Sequence, residues 1–304
     1  MRKITLLILL TTVMYAGSLL AQQNPQYTQY MYNMNVVNPA YAGSKESLSI
    51  TGLYRKQWSG LDGAPETFTL SLHSPVGEKV GLGLSAIKDE LGPVRETNVY
   101  ADFSYTLDLS ETLKLALGVK AGATFHEVGL NGLSLQDPGD PLFSENIDNT
   151  YPNVGAGAFL YADKFYVGLS VPNMIKSVHL DEHGLKYGSQ VLHYFATAGY
   201  IFDINDNFKL KPSVMVKSAF DAPVSFDANL NALFFDRFEI GGSYRLDDSF
   251  SGIVGFQITP MLRVGYAYDH VVSDIKAMAS ASHEVILTFD LYFSRKVLRS
   301  PRFF

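Results

Sequence analysis

Apolar and polar residues alternate with a period of two through most of this chain, the signature of strands with one apolar and one polar face. In ETFTLSLH, Phe68, Leu70 and Leu72 share one face, and Thr67, Thr69, Ser71 and His73 the other. TNVYADFSYTL sets Val99, Ala101, Phe103, Tyr105 and Leu107 against Asn98, Asp102 and Ser104. TLKLALGVKAGATF sets Leu113, Leu115, Leu117, Val119 and Phe125 against Lys114, Lys120 and Thr124. From LSITGLYR to SHEVILTFDLYF the pattern predicts about fourteen strands, most of about eight to thirteen residues. That is long for a soluble sheet and suits tilted strands that cross about 25 Å of lipid.

The connections alternate in length, as they must when short turns fall on one side of a membrane and loops on the other. SPVGEK, DLSET, Ala162-Asp163-Lys164, DINDN, Asp236-Arg237 and Thr259-Pro260 form the short set. The other set is KQWSGLDGAPE, KDELGPVRE, His126 to Pro152, Pro172 to Gln190, SAFDAP, RLDDS and DHVVSDIKAMASAS, of which two are only modestly longer than the turns. The polar faces carry Lys114, Lys120, Lys209, Lys211, Lys217, Arg237, Arg245 and Arg263, and also Asp102, Asp227, Glu239, Glu284 and Asp290. Facing lipid, each would cost up to a few kcal/mol, so they are expected to face an interior where both signs form a salt-bridged or watered network.

Composition narrows the class. Charged residues are 18%, below the roughly 25% of soluble domains, while Gly (25), Tyr (18) and Phe (20) are plentiful. Arg2 and Lys3 precede the apolar run ITLLILLTTVMYAGSLLA, which reads as a signal peptide ending after Ser18 or Ala21, with Ala21 preferred. No other run is long enough for a membrane helix, so a closed barrel is the way such an exported chain can live in a membrane. A soluble β-sandwich is the alternative; strand length, loop parity and aromatic strand ends argue against it. The absence of Cys excludes a lipoprotein and any disulfide framework. Losing Arg2 and Lys3 moves the net charge from −6 to −8, against a nucleic-acid partner.

Motifs for chemistry are missing: there is no G-x-S-x-G, no H-E-x-x-H and no Gly-rich loop between strand and helix. GLGLSA lies within a strand, where Gly marks close backbone approach or a bend. HLDEH, with His179 and His183, could hold a metal on a helix, and DINDN and DPGDP could bind calcium; turn formation explains the last two better. The expectation is a non-enzymatic protein with no cofactor and no metal.

Two stretches break the pattern. In TQYMYNMNVVNPAYAGS, Tyr27, Tyr30, Met31 and Met34 fall on one face of a short helix. Asn38 before Pro39 ends that helix, and Pro39 to Gly43 turns the chain into the first strand at the periplasmic mouth. Too short to be stable alone, the segment must pack on something: it plugs the barrel, or it docks a partner. Tyr27, Gln29, Tyr30, Met31, Tyr32, Met34, Asn38, Pro39, Tyr41 and Gly43 are its candidate site residues. In KQWSGLDGAPE the candidates are Trp58, the only Trp, with Gly60, Gly63, Ala64 and Pro65. Trp58 either anchors a strand end at the interface or belongs to a loop that meets a partner. The tail after residue 294, with Arg295, Lys296, Arg299 and Arg302, meets acidic surfaces or headgroups or is a solvated end. The expected division is signal 1–21, plug segment 22–46, barrel 47–294 and basic tail 295–304.

NPQYTQYMYNMNVVNPAYAGS, RKQWSGLDGAPETFTLSLHSP, GLGLSAIKDELGP, HYFATAGYIF, VGFQITPMLRVGYAYD, SHEVILTFDLYF and RKVLRSPRFF together resemble the PorP/SprF family of outer-membrane proteins, from about Gln23 onward. The resemblance implies an outer-membrane barrel of the type IX secretion and gliding-motility apparatus of the Bacteroidota. It implies as partners outer-membrane lipid, a secreted cargo protein with a C-terminal sorting domain, and periplasmic components of that system. A diffusion channel for small apolar molecules is the alternative.

Overall fold

A strand with one apolar and one polar face leaves backbone groups unpaired at both edges, and closing the sheet removes those edges. The computed structural model describes residues 25–45, 47–130, 146–175, 178–182, 185–189, 192–219, 222–279 and 281–292. Its strands in chain order are β1 (Ser47–Lys56), β2 (Glu66–Val76), β3 (Val80–Leu91), β4 (Val94–Asp108), β5 (Lys114–Val128), β6 (Ile147–Tyr161) and β7 (Phe165–Val171). Next come β8 (Val178–Glu182), β9 (Leu185–Ser189), β10 (His193–Tyr200), β11 (Phe202–Asn205), β12 (Phe208–Ala219) and β13 (Ala222–Phe234). The last are β14 (Phe238–Arg245), β15 (Ser249–Thr259), β16 (Leu262–Val271) and β17 (Ala281–Tyr292). β8 and β9 pair only with each other, in a loop hairpin. β10 and β11 are one stave interrupted at Ile201, so the main sheet has fourteen staves. All pair antiparallel, and the seam closes between β1 and β17, from Ser47 with Tyr292 to Lys56 with His283.

The two faces fall as the alternation predicts. Phe68, Leu70, Leu82, Leu84, Val99, Phe103, Leu117, Val119, Leu287 and Phe289 are exposed on the outside. Asp102, Lys120, Lys211, Lys217, Asp227, Glu239, Arg245 and Glu284 are buried within. Arg237 departs from the expectation: it is exposed in the turn before β14, beyond the last inward position.

The loops depart more. KDELGPVRE is not a loop: β3 and β4 run almost to its tip and turn at Gly92-Pro93. Gly92 supplies the positive φ (55°) that this tight turn needs, and Lys88 pairs with Glu90 at 2.7 Å on the projecting hairpin. The connection from β12 to β13 is likewise short, because the strands extend to Ala219 and from Ala222. The wall is therefore uneven: β4, β5 and β6 have 15 residues each, β7 only 7 and β14 only 8. The signal peptide, DPGDP, His183 and the basic tail lie outside the described residues. In DINDN the amide does turn work, with the Asn207 N–H donating to Asn205 Oδ1 at 3.0 Å.

Exposure of Leu287, which pairs with Gly52 in the middle of β1, sets a test of the lipid-facing surface. Leu287→Arg should cost about 2–4 kcal/mol in urea titrations in lipid vesicles, and Leu291→Arg, near the strand end, about 0–1 kcal/mol. Equal costs at the two positions would remove the assignment of depth.

Candidate functional site

A hollow barrel this size would leave its polar inner wall to water; here the wall is occupied. Residues 25–45 run through the lumen, and Tyr27 to Ala42 are buried at every position. Three short turns build the segment: a 3-10 turn at Tyr30–Tyr32, one α-turn at Met34–Val37 and a 3-10 turn at Pro39–Tyr41. The single helix face expected for Tyr27, Tyr30, Met31 and Met34 is not formed. Asn33 breaks the helix, and no face is left to solvent because wall surrounds the segment on all sides. Asn38 then caps the last turn, its Oδ1 accepting from Ala40 N–H at 3.0 Å, while Pro39 needs no partner at the first helical position.

The path also differs from a segment confined to the periplasmic mouth. Thr28 meets Arg55, Asp269 and Glu284, near the ends of β1, β16 and β17 that lead to the loops. Ala42 meets Ser104, and Gly43 meets His73, at the short-turn ends of β4 and β2. The segment thus descends the full height of the lumen before β1 returns upward.

Buried charge holds it in four clusters. Glu284 accepts from the consecutive N–H groups of Thr28 and Gln29 at 2.9 and 2.8 Å and pairs with Arg55 at 3.2 Å; Arg55 also pairs with Asp269 at 2.7 Å. Arg245, paired with Asp227 at 2.6 Å, donates to Gln26 Oε1 at 3.0 Å and to the Tyr27 carbonyl at 3.3 Å. Tyr32 donates its hydroxyl to Glu239, which also pairs with Lys211 at 3.0 Å, and the Arg263 guanidinium stacks 3.5 Å from the Tyr32 ring centre. Lys120, paired with Asp102 at 3.5 Å, donates to the Asn35 and Val36 carbonyls, and Asn35 donates to Asp102 at 3.1 Å.

Close approach requires bare wall. A Cβ on Gly81, Gly118, Gly157 or Gly265 would overlap Ala42, Ala40, Asn38 or Gln29. This is the close backbone approach read from GLGLSA, extended to strands where no motif advertised it. Gly43 is demanded twice over: its φ is 76°, and a Cβ added there would lie 2.7 Å from Gly81 Cα.

The second candidate stretch lies at the other rim. Gln57 N–H donates to Pro65 O at 2.9 Å, closing the loop, and Ser59 N–H donates to Ala281 O at 2.7 Å. Trp58 is half-buried with φ of 48°, its N–H on Ser282 Oγ at 3.1 Å; Gly60 and Gly63 are exposed, Ala64 half-buried and Pro65 buried. Gly92 N–H donates to Gly63 O at 3.0 Å, tying this loop to the β3–β4 hairpin. The loop and the lumen segment are therefore separate sites, though the β1–β17 seam supports both. Sequence reasoning missed Arg55 and Asp269 as clamps, although their parity on β1 and β16 would have placed them inside.

A buried pair with further bonds to the segment is costly to break on one side. Asp102→Asn or Lys120→Met should each cost about 3–5 kcal/mol in vesicle unfolding, and the double variant clearly less than the sum. Strict additivity would mean that the two do not act as one clamp.

The model of a family described as type IX secretion system membrane protein PorP/SprF matches residues 19–289. No curated protein matches the chain. Among solved structures, the CymD monoaromatic hydrocarbon channel has a TM-score of 0.55 at 12% identity, covering 86% of this chain and 93% of its own. The Acinetobacter baumannii outer membrane protein Omp33 has 0.47 at 11%, covering 82% and 100%. The P. putida toluene transporter TodX has 0.48 at 10%, covering 87% and 95%. At 12% identity the likeness to CymD is one of fold alone.

Proposed function

The chain belongs to the PorP/SprF family and is an outer-membrane barrel of type IX secretion, and we propose that it works as a sealed scaffold that retains secreted cargo at the cell surface. The observation that carries this reading is the filled lumen. A segment clamped by buried ion pairs from end to end leaves the rim and its loops as the surfaces free to meet a protein. The partner chemistry is a C-terminal sorting domain, with periplasmic components of the same system on the short-turn side. Trp58, Gly60, Gly63, Ala64 and Pro65 form the surface contact in this reading: the loop is held by backbone bonds to β17 and to the β3–β4 hairpin, which leaves Gly60 and Gly63 open to approach. Tyr27, Gln29, Tyr30, Met31, Tyr32, Met34, Asn38, Pro39, Tyr41 and Gly43 act by sealing and stiffening the barrel that carries that surface.

A diffusion channel for small apolar molecules is the competing reading, to which a cavity of about 50 Å³ beside the segment is relevant, bordered by Tyr100, Phe195 and Met215 but also by Lys120, Asp227 and Arg245. Two measurements separate them. In planar bilayers the intact barrel should be silent and a variant lacking residues 25–35 should conduct; steady conductance by the intact barrel would favour the channel. In cells, Trp58→Ala should release cargo without lowering barrel abundance, whereas loss of both together would make Trp58 an anchor of the barrel.

A further inference from the structure

The loop that carries Trp58 has three roots in the wall, and the start of the luminal segment touches all three. The first root is β1, where Arg55 stands three residues before Trp58, and the second is β2, which begins at Glu66 directly after Pro65. The third is the start of β17, where Trp58 N–H donates to Ser282 Oγ at 3.1 Å and Ser59 N–H to Ala281 O at 2.7 Å. These strands are neighbours at the seam: Arg55 stands opposite Thr67 on one side and Glu284 on the other.

Ser282 and Glu284 are two residues apart on β17, so they share its inner face, and both are buried. Asp269 of β16 stands opposite Ser282 and is buried too. The residue that holds Trp58 thus has a carboxylate residue beside it along its own strand and another across from it. The luminal segment binds both. Thr28 donates its hydroxyl to Asp269 at 2.8 Å and its N–H to Glu284 at 2.9 Å, and its Oγ1 accepts from Arg55 at 3.0 Å. Gln29 N–H adds a second bond to Glu284 at 2.8 Å. On β2, the Tyr27 hydroxyl lies 3.2 Å from Thr69 Oγ1, two residues along the inner face from Thr67.

Trp58 depends on such support. Its φ of 48° lies in the left-handed region, which bulky side chains seldom occupy and keep only where the surroundings hold them. We propose that Tyr27, Thr28 and Gln29 are positioning residues for the Trp58 loop: they fix the upper ends of β1, β2, β16 and β17 against one another, and the loop takes its shape from those ends. Without the Thr28 hydroxyl, buried Asp269 loses a donor and Arg55 an acceptor, so both shift or draw in water next to Ser282. The bearing on cargo rests on the reading of this loop as the contact surface; the luminal segment then shapes that surface as well as sealing the barrel beneath it.

Trp58 is the only Trp of the chain, so tryptophan emission reports this loop alone. In the full-length barrel in lipid vesicles, Thr28→Val removes the hydroxyl and keeps the side chain's shape. It should shift the emission to the red and raise acrylamide quenching about twofold as the loop loosens, with the heat-induced gel shift confirming a folded barrel. Thr28→Ser keeps the hydroxyl and should retain the parent's emission. So should Ser170→Ala, which removes a bond to the Val37 carbonyl on β7. If Thr28→Val prevents folding, Tyr27→Phe, which removes the hydroxyl at Thr69, takes its place. Parent-like emission from the folded variant, or an equal shift from Ser170→Ala, would overturn the proposal. On cells, Thr28→Val should also release cargo at unchanged barrel abundance. A shifted emission with cargo retained would leave the positioning role standing and remove the loop as the cargo contact.

Discussion

Backbone polar groups removed from water need partners, and this constraint organises the inside of the barrel. Residues 27–44 form only short turns, which pair some of their N–H and C=O groups, such as Asn38 N–H with Met34 O at 2.8 Å, and leave others without a partner in the segment. The wall answers others individually. Glu284 takes two N–H groups, Lys120 donates to two carbonyls, Ser170 donates to Val37 O at 2.8 Å and Ser104 to Ala42 O at 2.6 Å. An inner face of Ser, Asn, Lys and Glu that would line water in an open barrel is here the complement of one peptide segment.

The same constraint explains why the charges come in pairs. A lone buried lysine or carboxylate would be expensive to desolvate, and a pair alone often fails to repay that cost. Each pair here gains further bonds from the segment: Asn35 on Asp102, Gln26 on Arg245, Thr28 on Asp269, Tyr32 on Glu239. Wall and segment therefore stabilise each other, and removing the segment exposes four sets of charges to partial solvation as well as opening the lumen.

How much of this is legible in the sequence follows from range. Period-two alternation is local, so the fourteen staves and the inward placement of Lys120, Lys211, Arg245, Asp102, Glu239 and Glu284 can be read directly from the chain. The pairing of Thr28 with Asp269 spans 241 residues, and nothing local reports it. The i, i+3, i+4, i+7 spacing of Tyr27 to Met34 suggests one helix only if one face is buried. A segment enclosed on every side has no need of an amphipathic face, and Asn33 can leave the helix to meet Ser71 at 3.0 Å. KDELGPVRE reads as a loop because its composition is polar; outside the membrane a projecting hairpin has no apolar face to keep, so alternation falls silent while the strands continue.

Sealing and unevenness then bear on one another. Traffic through the centre would require breaking the clamps at several levels, each a buried ion pair whose single-sided loss costs about 3–5 kcal/mol. A barrel so filled meets its surroundings at its rim. The wall is tall where β4, β5 and β6 project, with 15 residues each against 7 in β7. The projecting β3–β4 hairpin is bonded through Gly92 to the loop that holds Trp58, which stiffens the rim. Rigidity at the tall side is a consequence of strand length, set by where pairing partners end.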